Sequence, residues 1–243
     1  MQEEQVRAGI AQNAPIELET RDGSTQRLYI LTCGYGLGYL VEAPTGLFLF
    51  DCGVPGSAGV VLEKMRELGR ADLKVIWITH AHYDHYGSAA RLRELTGAKI
   101  GIHALDAEDL AHGKSKLGTP RRYGAIYFAL QPLVSFSRRL EPTPADFTLE
   151  DYETLERFGL DATVLHTPGH TPGHSSVLLG DGSALAGDLL GGFPKPALQN
   201  LLATDWDALP KSLEHLKQAK PARVYSGHRH KSISGEEFQS INR

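Results

Sequence analysis

Thr79-His80-Ala81-His82-Tyr83-Asp84-His85 gathers four nitrogen and oxygen donors, His80, His82, Asp84 and His85, into six residues. The run before it, Lys74-Val75-Ile76-Trp77-Ile78, has the apolar pattern of a buried strand, so the donors sit at a strand's end. In extended chain, side chains two apart point the same way, and His80 and His82 can grip one ion together. Asp84 and His85 break that alternation where a helix begins, Gly87 to Leu95 with Gly97 as its stop, and can face a neighbouring point. Imidazole nitrogen and carboxylate oxygen suit zinc, and also iron or manganese. The plainer reading is a polar loop of solvated histidines. A strand-to-helix junction is where ligand-bearing loops are built, and that favours metal.

Three further segments carry donors. His166-Thr167-Pro168-Gly169-His170-Thr171-Pro172-Gly173-His174 follows the strand Ala162 to Leu165, and its Pro-Gly turns would hold an imidazole rigidly. Gly187-Asp188 closes a hairpin whose strands, Ser176 to Leu179 and Ala184 to Ala186, flank Gly180-Asp181-Gly182. A carboxylate there can bridge two ions. Gly227-His228 ends the last strand, Arg223 to Tyr225. Each is weak alone, because a lone strand-end aspartate is more often a cap or turn former. Seven donors, all at strand ends, are specific.

The remaining pattern is short strands (Leu28 to Leu31, Gly38 to Val41, Leu47 to Asp51, Lys99 to Ile102) with helices at Val60 to Leu68 and Asp205 to Gln218. This reads as an α+β chain with two sheets covered by helices, although composition alone does not fix that architecture. The 243 residues suit one domain, 1–243, with an insertion at about 112–151 carrying one or two helices around Ala125 to Phe136. Six basic side chains against Glu141 give Gly113 to Glu141 a net charge of +5, and Tyr123, Tyr127, Phe128, Leu130 and Phe136 make it apolar too. Such a segment suits a lid over an acyl or aromatic small-molecule substrate, or a homodimer contact. The formal charge of −4 argues against nucleic-acid binding. Cys33 and Cys52 read as small buried residues of a reducing compartment. With no apolar leader and no 18-residue apolar stretch, the expectation is a cytoplasmic protein without a membrane span.

The motif His80-x-His82-x-Asp84-His85, Thr-Pro-Gly-His170, Gly187-Asp188 and Gly227-His228, in that order, resembles the metallo-β-lactamase superfamily. Asp51 in Phe50-Asp51-Cys52-Gly53 matches the family's early Asp-x-Gly strand end. The resemblance implies a four-layer αββα sandwich with two divalent metal ions, zinc foremost, at one edge. It implies one ion held by His80, His82 and His170, and the other by Asp84, His85 and His228, with Asp188 bridging. Asp51 and His174 would support these ligands from behind. His166 is expected to be structural, His103 to lie near the pocket rim, and His112 and His215 on the surface. His230, Tyr83, Tyr86, Tyr123, Tyr127 and Phe128 are expected substrate contacts.

Two dications set against Asp84, Asp188 and a bridging hydroxide leave such a site net positive. The expected chemistry is attack of that hydroxide on a carbonyl carbon, with Asp84 orienting the water and shuttling its proton as the catalytic residue. Asp188 sets the chain apart from true zinc β-lactamases, which generally lack the bridging aspartate. Only 15 residues follow His228, short of the helical glutathione-binding domain of hydroxyacylglutathione hydrolases. Acyl-homoserine lactone hydrolases resemble the chain best, but Gly191 stands where they usually place a tyrosine. The leaving-group donor would then be Tyr83, Tyr86 or a tyrosine of the insertion. The resemblance therefore implies a lactone or carboxylic ester hydrolase. A thioesterase or phosphodiesterase is the alternative, and a diiron redox or sensor protein the alternative of another class.

Overall fold

The computed structural model describes residues 14–20, 23–121, 123–126, 129, 140–192 and 195–242. A seven-stranded sheet runs in the order β1-β2-β3-β4-β5-β6-β8, from Ile16–Glu19, Thr25–Cys33, Gly36–Ala43, Gly46–Phe50, Leu73–Ile78, Lys99–Ile102 and Phe147–Thr148. A five-stranded sheet runs β16-β15-β11-β10-β9, from Arg229–Ser234, Arg223–Ser226, Ser183–Leu185, Ser175–Leu179 and Ala162–His166. β4, β5, β6 and β8 pair in parallel, so their C-terminal ends share one edge; β11 and β15 are likewise parallel.

The apolar runs are continuous because both faces of the first sheet are covered. Leu31, Leu49, Ile76, Ile78, Ile100 and Ile102 face helices α1 (Ala58–Glu67) and α3 (Ala89–Thr96), packing on Val61, Met65 and Leu92. The alternate residues Ile30, Phe48, Phe50, Val75 and Trp77 face the second sheet and meet Val164, Val177, Leu179, Leu185 and Tyr225. On the far side of that sheet, Ala184, Val224 and Ile233 pack on Leu209, Leu213 and Leu216 of α5 (Ala208–Gln218) and Phe238 of α6 (Gly235–Gln239). Helix, sheet, sheet, helix: the four-layer order expected from the resemblance is the one observed.

The chain also forms α2 (Tyr83–Tyr86), α4 (Ala104–Ala111) and the two-residue strands β7 (Thr119–Pro120), β12 (Leu190–Gly191), β13 (Ala197–Leu198) and β14 (Leu202–Ala203). β7 pairs with β14, which attaches the start of the expected insertion to the chain after Asp188. The helices expected around Ala125 to Phe136 fall largely outside the described residues, as do Tyr127 and Phe128. At the shared edge the sheets are joined by backbone bonds, Ser175 N–H to Thr79 C=O at 2.9 Å and Leu37 N–H to Gly227 C=O at 2.9 Å. The side-chain hydroxyl of Tyr39 adds a bond to Ser226 C=O at 2.7 Å.

Candidate metal centre

All seven expected donors meet at that edge. From the first sheet come His80 and His82 after β5, and Asp84 and His85 in α2. From the second come His170 after β9, Asp188 after β11 and His228 after β15. Nε2 of His80 lies 3.0 Å from Nδ1 of His82, which lies 2.9 Å from Nε2 of His170. Oδ1 of Asp188 sits 3.5 Å from Nε2 of His85 and 3.2 Å from Nε2 of His228. Its Oδ2 sits 3.4 Å from Nε2 of His170, so this carboxylate spans both clusters. Asp84 Oδ2 is 3.6 Å from Nε2 of His228.

The outer nitrogen of each imidazole is taken by an acceptor, which leaves the inner one for a ligand. His82 Nε2 donates to Lys116 C=O at 2.8 Å, His170 Nδ1 to Leu202 C=O at 2.9 Å and His228 Nδ1 to Tyr35 C=O at 2.8 Å. His85 Nδ1 donates to Asp51 Oδ2 at 2.8 Å. Thr79 donates its hydroxyl to that same Oδ2 and its N–H to Oδ1, both at 2.8 Å, and its oxygen accepts from His80 Nδ1 at 3.0 Å. Asp51 thus orients two of the ligand-type histidines, one directly and one through Thr79. His174 donates Nδ1–H to Thr167 C=O at 2.9 Å and accepts the Asp188 N–H on Nε2 at 3.0 Å. Asp51 and His174 thus both bond to groups of the donor segments from behind.

Charge differs between the two clusters. Burial holds His80 well below the usual imidazole pKa, and His85, His82 and His170 around it add to the effect. Burial does the same to His170, helped by His82, and lowers His174 to about 4. Lowered pKa values favour the neutral form of these rings, the form in which the inner nitrogens of His80 and His170 can coordinate. Burial opposes charge on His85 and His228 too, but carboxylates outweigh it. Asp188 and Asp51 hold His85 well above its usual value, and Asp188 and Asp84 raise His228 to about 9. Asp188 is itself held well below the carboxylate range, its burial overcome by His228 and His85.

The fit to a metal is visible in what the donors lack. Nε2 of His85 and Oδ1 of Asp188 are buried without a hydrogen bond. Nitrogens meeting at 2.9–3.0 Å with their outer N–H groups already committed have no proton to share and suit a cation between them. Among the described residues, three groups could hold an ion: His80, His82 and His170; His80, His85 and Asp188; and Asp84, His85 and His228. Gly227 is required for the approach, because a Cβ there would fall 2.5 Å from Asp188 Oδ1 and 2.8 Å from His85 Cε1.

The expected substrate contacts scatter. Tyr86 is packed in the helix-side core, 1% exposed, and its hydroxyl donates to Lys114 C=O at 3.0 Å. Tyr83 is buried at the start of α2, its N–H donating to Ser115 Oγ at 3.2 Å. Tyr123 is exposed, and His230 stands exposed on β16 beside Thr32. His103 is not at a rim: it is 1% exposed and stacked on His166 at 4.0 Å, because its Nδ1 caps α4. His166 donates to Pro172 C=O at 2.8 Å, bracing the ligand loop. His112 is exposed, and His215 pairs with Asp151 at 3.1 Å.

Sequence reading missed the carbonyls of Lys116, Leu202 and Tyr35, which any residue type supplies. It also missed Asp106, a carboxylate buried between two ligand loops. Its one signal is a charged side chain in the first turn of a helix that directly follows a strand.

The metallo-beta-lactamase superfamily profile matches residues 31–228. The chain is 25% identical over 224 residues to "Probable metallo-hydrolase YflN" of Bacillus subtilis, covering 83% of this chain and 81% of that one. It is 29% identical over 128 residues to a hydroxyacylglutathione hydrolase of Albidiferax ferrireducens, over 52% of this chain and 36% of that protein. Among solved structures, TTHA1623 in a di-iron-bound form superposes with a TM-score of 0.65 at 26% identity, covering 88% of this chain and 98% of that one. Rm3 metallo-beta-lactamase gives a TM-score of 0.65 at 24% identity over 93% and 81% of the two chains, a likeness of fold. The profile spans all seven donors, from His80 to His228, and the chain belongs to the metallo-beta-lactamase superfamily.

Proposed function

We propose that the protein is a dinuclear metal-dependent hydrolase of carboxylic esters or lactones. His80, His82 and His170 would hold one divalent ion, and Asp84, His85 and His228 the other, with Asp188 between them. The observation that carries this reading is the set of inward-facing donors whose outer nitrogens are all committed. Ions so held, zinc foremost, supply polarisation of a carbonyl oxygen and activation of water at neutral pH.

The chain's own residues do the rest. Asp84, in the first turn of α2 beside His228, accepts the proton of the attacking water on a carboxylate oxygen and returns it to the leaving oxygen. Asp188 keeps its place through the His174 bond to its N–H. His228, 36% exposed against 0–3% for the side chains of His85 and His170, marks the side from which substrate enters. We read the exposed side chains beside the carbonyls that hold His228 and His170 as the rim of that opening. Tyr35, 63% exposed, is fixed to His228 through its carbonyl, and Leu201, 39% exposed, precedes the carbonyl that holds His170. An uncharged acyl group suits this rim better than a phosphodiester does.

A panel of lactones, aryl esters, thioesters and phosphodiesters, each with and without chelator, tests the proposal. Chelator-sensitive turnover of a lactone or ester, lost in His82→Ala and Asp188→Ala, is the expected result. Turnover confined to thioesters would favour a second reading, supported by the hydroxyacylglutathione hydrolase relative. Full activity in either variant would remove the ligand assignment.

A further inference from the structure

Asp106 lies in the first turn of α4, 2% exposed, and forms none of the donor set. Its Oδ2 accepts the N–H of Ala81 at 2.9 Å and the hydroxyl of Thr171 at 2.7 Å, while its Oδ1 accepts the N–H of Gly173 at 2.6 Å. Ala81 lies between His80 and His82, and Thr171 follows His170. One carboxylate therefore ties the ligand loop of the first sheet to that of the second. We propose that Asp106 is a positioning residue that sets the spacing of the His80–His82 and His170 loops, and through it the affinity of the three-histidine cluster for its ion.

Two observations sharpen this. The loop at Gly173 approaches so closely that a Cβ there would fall 2.6 Å from Asp106 N and 2.7 Å from its Oδ1. The contact is thus built into the main chain on both sides. An amide cannot replace the carboxylate: with three donors on two oxygens, asparagine turns an NH2 against Gly173 N–H or against the Ala81–Thr171 pair. No bond joins Asp106 to Asp84, His85 or His228 among the described residues, so the other ion's cluster should be spared.

The inference rests on the proposed reading of His80, His82 and His170 as ligands of one ion. The test measures zinc stoichiometry and affinity by competition with a chromophoric chelator, beside thermal unfolding of the chelated protein. Wild type and a Glu108→Gln control should bind two equivalents. Asp106→Asn should keep one tight equivalent and weaken the other by about ten- to a hundredfold, and Asp106→Asn with His228→Asn should hold neither tightly. Thr171→Val, which removes one donor of three, should weaken the same equivalent by a smaller factor and serves if Asp106→Asn does not fold. Two equivalents at wild-type affinity in both variants, or equal weakening of both equivalents, would overturn the inference alone. Fewer than two equivalents in wild type would overturn the ligand reading itself.

Discussion

At the scale of single residues, the two clusters differ in how many protons they hold before a cation arrives. Neutral His80 and His170 have none to lose, whereas His85 and His228 keep theirs at neutral pH because Asp188 faces both. Metal uptake at pH 7 should therefore release close to two protons, read by calorimetry in buffers of different ionisation enthalpy. The sign follows: below about 9, where His228 is protonated, apparent affinity for the ion beside it weakens as pH falls. Release of no protons would contradict the charge assignment. Asp51→Asn should leave the fold in place and lower metal affinity by about ten- to a hundredfold, since it frees both Thr79 and the His85 ring. The seven donors are legible in the sequence because they fall in the segments that follow strands and carry side chains of metal-binding chemistry. Lys116, Leu202 and Tyr35 are not, for they act through carbonyls that every residue has.

Among elements, the strands and most helices follow from apolar runs punctuated by glycine, as at Gly180-Asp181-Gly182 between β10 and β11. Strands of two residues such as β7 and β14 have no periodicity to read, and they decide how the insertion begins. That stretch is no detached flap at its start. Lys116 C=O holds His82, β7 pairs with β14, Trp206 Nε1 donates to Thr119 Oγ1 at 2.9 Å, and Arg121 lies 4.3 Å over the Trp206 ring. Trp206→Ala removes the hydrogen bond and the cation–π contact, each worth about 1 kcal/mol. Amide exchange through 114–121 should quicken, with metal affinity falling as His82 loses its fixed carbonyl. Unchanged exchange there would show that the pairing does not depend on the tryptophan.

In the whole molecule, one edge collects donors from both sheets, and the alternation of Phe48, Phe50 and Trp77 against Leu49, Ile76 and Ile78 explains how those sheets are stacked. Composition alone does not reveal that stacking; the order of the motifs does. Each ion bound by the native chain and not by the unfolded one would stabilise it by about 4 kcal/mol at a thousandfold excess over Kd, and the proposed pair by about 8 kcal/mol. Chelation of both should lower Tm by roughly 20 °C at this chain length, a shift visible by scanning calorimetry. An unmoved Tm would mean that no ion bridges the sheets. The same arrangement imposes an order in time. A chain emerging from the ribosome presents His80 to His85 well before His170, Asp188 and His228 exist to complete either cluster. Metal capture by the proposed site would therefore come late, once His228 has been made.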